Sequence, residues 1–297
     1  MTVDQKKKAL FKKLVWDFYA DNQRNALPWR KKITPYKVWV SEIMLQQTQV
    51  DRVVNFFNAW MKWFPTIGDL AKAPQTDVLR LWKGLGYNSR ALRMKKAAEV
   101  VVKEYGGKFP KKFDDILSLP GIGPYTAGAI TAFAYNEPVS FIETNIRRVY
   151  LHHFFQHPQP PLKEGTFGTP SFREGQGGVL IHDKEIMSII EETLDHEHPR
   201  EWYWALMDYG SHLGKTIPNP NRKSRHYTKQ STFKGSDRQM RGRILAVLLE
   251  NKKISLETLR EKLADLTIDV DRIEQIVSAM ETEGFLEIKK GMVRLKK

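Results

Sequence analysis

"LSLPGIGPYTAGAITAF", residues 117–133, is the stretch that decides the fold. Leu-Pro-Gly-Ile-Gly lies between two helical patterns, and its glycines permit positive φ while leaving backbone N–H groups uncovered. The second helix begins at once, so its N-terminus and the glycine amides can together hold one phosphate. Ala127, Gly128, Ala129 and Ala132 let that helix pack closely against a neighbour. The plainer alternative is a tight helix–helix turn with no ligand, since Gly-x-Gly is common in such turns.

Upstream, the chain reads as short helices broken by Gly and Pro, with little strand alternation up to residue 155. "TPYKVWVSEIM" opens with Thr34 as N-cap and Pro35 at the first helical position. Thr48, with Asp51 three residues on, predicts a fresh helix N-terminus, so Leu45, Gln46 and Gln47 fall at a junction. Gly84 and Gly86 break the next pattern, and Gly106-Gly107 end the helix after "ALRMKKAAEVVVKEY". Glu42 shares a helix face with Val38 and Leu45. A carboxylic acid on an apolar stripe is expected to have a raised pKa, which suits a general acid. A glutamate bonded to nearby backbone is the alternative.

Downstream, "VSFIETNIRRV" (139–149) carries Glu143 at the end of an apolar run, directly before a basic helical stretch. A buried carboxylate needs a partner or a task. Arg147 and Arg148 offer a simple salt bridge as one answer. Residues 156–183 are rich in Pro and Gly and read as a long loop or insertion. Helical patterning returns through 184–213. Residues 218–236 read as a basic linker: "IPNPNRKSRHYTKQSTFKG" (217–235) holds five Lys or Arg and no acid. From Ser236 the pattern is three helices and a terminal hairpin about Lys290-Gly291, the outline of a winged helix spanning 237–297. Its recognition helix is expected at 268–284, where near-balanced charge suits a modest DNA reader or a protein contact.

Of 297 residues, those from 1 to 155 carry 25 basic and 13 acidic side chains, whereas 156–236 are neutral. A surplus of this kind favours a polyanion, nucleic acid before membrane; a basic enzyme without such a partner is the alternative. The chain has no cysteine, which excludes disulfides, thiolate zinc sites and cysteine-held iron–sulfur clusters. The histidines of "LHHFFQH" and "DHEHPREW" do not have metal-ligand spacing, so no metal or other cofactor is expected. With no apolar run of membrane length and no signal-peptide core at the N-terminus, the chain is expected to be cytoplasmic and nucleoid-associated, without a membrane partner.

The hairpin, with "LPWR" (27–30), "PYKVWVSEIMLQQTQV" (35–50), "GLGYNSRALRMKKAA" (84–98) and "NIRRV" (145–149), resembles the helix-hairpin-helix family of DNA glycosylases. Within that family the sequence is most similar to the MutY-type adenine glycosylases, over roughly residues 8–215. The resemblance implies an all-α glycosylase domain at 1–217, a monomer, and a double-stranded DNA partner containing a mismatch or oxidised base. Such enzymes flip a base from the duplex and cut its N-glycosidic bond.

The resemblance also implies roles. Glu42 matches the acid that protonates adenine. Glu143 stands where the family has an Asp that stabilises the cationic sugar, and Asn145 matches the Asn supporting that acid. Tyr125 replaces the lysine of bifunctional relatives similar to endonuclease III, so strand cleavage is not expected. Thymine-mismatch glycosylases of the family also carry Tyr there, which keeps removal of thymine or uracil opposite guanine as an alternative. Leu45, Gln47 and Tyr87 match the residues that wedge into the stack and contact the opposing purine, and Gln46 belongs to the same tip. Leu119, Gly121, Ile122, Gly123 and Thr126 match the phosphate-binding hairpin, and Arg30 and Trp204 the base pocket.

Three departures stand out. The iron–sulfur loop after the "MDYG"-type segment is replaced by the basic linker. Trp204 stands where a Gln or Glu reads adenine, and an indole stacks on a base but cannot make a bidentate edge contact. A winged helix takes the place of the domain that reads 8-oxoguanine. The alternative from another class is a DNA-binding protein without catalysis, against which the paired Glu42 and Glu143 speak.

Overall fold

The structure is a computed structural model, describing residues 4–155, 180–229, 232–266 and 270–296. Its helices are α1 (Gln5–Asn22), α2 (Pro35–Leu45), α3 (Val50–Trp63), α4 (Ile67–Lys72), α5 (Gln75–Trp82), α6 (Ser89–Tyr105), α7 (Phe113–Leu117) and α8 (Pro124–Tyr135). They continue as α9 (Thr144–Phe154), α10 (Asp183–Thr193), α11 (Pro199–Thr216), α12 (Asp237–Glu250), α13 (Leu256–Glu261) and α14 (Val270–Thr282). Three short strands, β1 (Ile254–Ser255), β2 (Leu286–Lys289) and β3 (Met292–Leu295), form an antiparallel sheet in the order β1-β3-β2. Helix dominates, as the Gly/Pro-punctuated pattern predicts.

The chain folds as two compact units, one of residues 1–25 and 131–229, the other of 26–130 and 230–297. The first is built on α1, α9, α10 and α11 around an aromatic core. Phe11 meets Tyr150 at 5.2 Å and Phe154 at 4.9 Å between ring centroids, and Trp202 is fully buried. Arg24 closes the end of α1 by donating from its amide and Nε to buried Asp208 at 3.1 and 2.6 Å. α9 and α11 approach so closely that a Cβ on Gly210 would lie 2.4 Å from the Asn145 carbonyl oxygen.

In the second unit, α2 begins as predicted: Thr34 accepts from the Lys37 amide at 3.2 Å, with Pro35 behind it. The core runs through Trp39, Trp60 and Trp82, and the Tyr36 hydroxyl ties α2 to α3 by accepting from Trp60 and donating to Phe64 O. The junction after α2 lies where expected, but its cap does not. α3 starts at Val50 with Gln49 as N-cap, because the Thr48 hydroxyl turns back to Gln46 O at 3.4 Å.

Residues 237–297, expected as a separate domain at the end of a linker, belong to the same unit as 26–130. Gln75 donates to Gly284 O at 2.9 Å, Lys83 pairs with Glu250 at 3.2 Å, and Arg238 donates to the Tyr87 hydroxyl at 2.7 Å. The segment expected as a linker at 218–236 is also partly folded, in the first unit. Pro220–Lys223 forms a 3-10 turn, Asn221 donates to Thr144 O at 3.1 Å, and Ser224 bridges in parallel to Ile181. Those bonds satisfy backbone groups that a free linker leaves to water. Of the insertion expected at 156–183, residues 156–179 lie outside the described residues, as do Ile268 and Asp269 of the expected recognition helix.

Candidate active site

Glu42 lies on α2, only 4% exposed, and the Tyr125 hydroxyl donates a hydrogen bond to its Oε2. The sequence spacing brings this about: Val38 and Leu45 share the Glu42 face, and Tyr125 sits in the first turn of α8, directly after the hairpin. Between α7 and α8, Gly121 adopts φ +77°, and the first bond of the α8 ladder runs from Ala127 N to Gly123 O at 2.9 Å. The amides before it stand outside the helical ladder, where the positive end of the helix favours an anion.

Not every hairpin residue faces outward. Leu119, Ile122 and Thr126 are 2%, 7% and 2% exposed, so their side chains anchor the turn in the core and only their backbone can meet a ligand. Gly121 carries a second constraint: a Cβ there would come within 2.7 Å of Arg93 Cβ. Arg30 ends a one-turn 3-10 helix, Pro28–Arg30, and is half-buried.

The residues expected to wedge into the stack sit on two turns drawn together by one buried arginine. Leu45 ends α2, Gln46 is its C-cap, and Gln47 takes φ +58°; Tyr87 takes φ +47° before α6. The Arg90 guanidinium donates to the carbonyls of Ile43, Gln46 and Gly86, the last two at 2.9 Å each, and lies 5.1 Å from the Trp82 ring centroid. Arg90 thus closes the C-terminus of α2 and fixes the Gly86–Tyr87 turn at the same time. Burial lowers its pKa to about 10, with Tyr87 acting in the opposite sense, so it stays charged at neutral pH.

In the other unit, Glu143 is the N-cap of α9: its Oε1 accepts from the amides of Asn145 and Ile146 at 2.6 and 2.8 Å. Asn145 Nδ2 reaches Oε2 at 3.4 Å. The neighbouring arginines bond elsewhere, Arg147 to Asp183 and Arg148 to Asn145 Oδ1 and Gly210 O. Burial pushes the Glu143 pKa above the ordinary carboxylate value, against the opposing pull of the two amides and of Arg148 and Arg147. Trp204, on α11, is 9% exposed and lies 6.3 Å from Phe133, which limits the indole to presenting an edge or one face.

Sequence reasoning did not single out Arg90 or Gly210. Arg90 gives little local signal because its carbonyl partners at Ile43, Met44 and Gln46 lie more than forty residues away along the chain. Gly210 stands inside "MDYG", where a glycine in mid-helix hints at a close approach. Among the described residues, no group of three His, Cys, Asp or Glu could hold a metal ion, and no helix is long and apolar enough to cross a membrane.

Residues 40–166 match the model of the HhH-GPD superfamily base excision DNA repair proteins. The chain is 41% identical over 206 residues to an adenine DNA glycosylase of Buchnera aphidicola, covering 68% of this chain and 52% of that protein. It is 32% identical over 259 residues to an adenine DNA glycosylase of Mycobacterium tuberculosis, covering 79% and 76%. The chain thus spans about half the length of the first of these relatives and three quarters of the second. A solved structure of a thermostable thymine-DNA glycosylase superposes with a TM-score of 0.57 at 25% identity, over 69% of this chain and 87% of that one.

Proposed function

Because the chain belongs to the adenine DNA glycosylase family of HhH-GPD base excision repair proteins, we propose that it removes a mispaired adenine from duplex DNA by hydrolysis. The single observation that carries this reading is the buried Glu42 carboxyl with the Tyr125 hydroxyl on one of its oxygens, at the foot of the hairpin helix.

In the reaction proposed here, the base is extruded from the duplex and Glu42 gives its proton to the leaving ring. The bond from C1′ to the base breaks, its electron pair passing to the base. Glu143, oriented by Asn145, offsets the positive charge left on the sugar, and water adds at C1′, its proton passing to the carboxylate left on Glu42. Glu143 is one methylene longer than the family's Asp, and its N-cap bonds hold it back against α9. Tyr125 offers no amine for a Schiff base, so the product is an abasic site with the strand intact. Residues 237–297 serve as a winged-helix module: the order helix, strand, helix, helix, hairpin supports that assignment.

Excision of thymine or uracil opposite guanine is a second reading. It is favoured by Trp204, which cannot read the adenine edge, by Tyr125, and by the likeness to a thymine-DNA glycosylase.

The test is incubation with duplexes carrying A·8-oxoguanine, A·G, T·G or U·G, followed by alkali. Cleavage of the adenine-containing strands only after alkali is expected. Product from T·G or U·G alone would establish the second reading, and binding without product from any duplex would make the chain a binding protein.

A further inference from the structure

A cleft of about 430 Å³ opens in the second unit between the start of α6 and the C-terminal helices, lined by Tyr87, Asn88, Arg93, Arg238, Arg241 and Glu283 among others. Three guanidinium groups face one carboxylate there. Arg238 and Arg241 stand three residues apart on α12 and so point to one side of it. The Arg238 guanidinium lies 5.1 Å from the Tyr87 ring centroid, and Arg241 lies 5.4 Å over Phe285 while pairing with Glu283 at 3.0 Å. Arg93 comes from α6, is exposed, and makes no hydrogen bond or ion pair among the described residues. Asn88 is the N-cap of the 17-residue α6 and its side chain makes no capping bond, so the positive end of that helix also opens here.

We propose that this cleft binds a backbone phosphate of duplex DNA, so that α12 rather than α14 is the DNA-contacting helix of the C-terminal segment. This rests on the reading of DNA as partner. The Arg93 stem lies against Gly121, so one side chain joins the cleft to the phosphate-binding hairpin. A polynucleotide can engage both; a small anion cannot. α14 is poorly suited to the task. Its one described cation, Arg272, is paired with Asp237 at 3.0 Å, whereas Glu274 and Glu281 lie on the same helix.

The experiment measures the affinity of the full chain for an undamaged duplex over a range of salt, with mismatch cleavage by the wild type followed in parallel. Arg93→Ala and Arg238→Ala should each lower the slope of log affinity against log salt by about 0.9, and weaken binding about fivefold at physiological salt. Glu283→Gln releases Arg241 and removes the opposing charge, so it should tighten binding; misfolding cannot imitate that gain. Arg93→Ala and Arg238→Ala with wild-type slopes, or Glu283→Gln with weaker binding, would overturn the proposal. Titration with inorganic phosphate at fixed ionic strength separates the sources: phosphate binding abolished by Arg93→Ala with duplex affinity unchanged would make this a free-anion site and overturn it too. A wild type that binds duplex but removes no base would count against the glycosylase reading and leave the cleft standing.

Discussion

Glu42 and Glu143 are held by different groups, and their variants should behave differently. Glu42→Gln keeps the shape of the side chain beside Tyr125 but has no carboxyl proton to give. Turnover under single-turnover conditions should fall about 10²–10⁴-fold, with duplex affinity within about twofold of wild type. Glu143 has its pKa raised by burial. Such a group stabilises the fold below its unfolded pKa and loses that contribution as the pH rises through the folded value. Glu143→Gln, which can still accept from the α9 amides, should therefore gain stability relative to wild type as pH increases, read from urea midpoints across the acid to neutral range. A gap that narrows with rising pH would contradict the burial effect. Glu42 was legible in the sequence as a carboxyl on an apolar face, and Glu143 as a carboxyl before a helix. The capping role of Glu143 was not, because the adjacent Arg147 and Arg148 suggest charge partners whereas the donors are backbone amides.

At the scale of elements, two residues fix the positions of others. Arg90 neutralises the end of α2 and binds the turn before α6 through carbonyls of Ile43, Gln46 and Gly86. Arg90→Ala leaves those oxygens without a buried donor and should cost about 2–4 kcal/mol in denaturant unfolding. Arg90→Lys, with a single ammonium, should recover only part of it. Gly210→Ala forces a methyl group onto the Asn145 backbone and should cost about 2 kcal/mol or more, displacing the α9 turn that carries Glu143 and Asn145. Activity lost without any shift in unfolding midpoint would show that this packing is not the cause. The helices themselves were readable from Thr34-Pro35, the Gly106 stop and the Leu-Pro-Gly-Ile-Gly break, since those signals are local. Thr48 misled by one residue because its hydroxyl had a nearer acceptor in Gln46 O.

At the scale of the whole molecule, the C-terminal segment is part of a compact unit with residues 26–130. Removing 237–297 takes away Arg238 from Tyr87, Glu250 from Lys83 and the Gly284 carbonyl from Gln75. The truncated chain should unfold at lower temperature than the full chain and be cut sooner by trypsin at Lys83. Equal resistance would mean the segment behaves as an independent appendage. This docking could not be read from the sequence: its contacts join residues some 150–210 positions apart, and a basic, Pro-containing stretch between them looks like a tether whether or not it folds. Gln47 and Tyr87 bear on the whole molecule as well. Both hold left-handed backbone torsions that cost a non-glycine residue about 1–3 kcal/mol, and Arg90 keeps them there. That strain is met once, during folding, so on the proposed reading a duplex would encounter a stiff tooth, not a pliable loop. On the proposed reading the deformation then falls on the nucleic acid, and the protein should dwell longest where stacking is already weak, at mismatches and pyrimidine–purine steps, and pass quickly over stiff A-tracts.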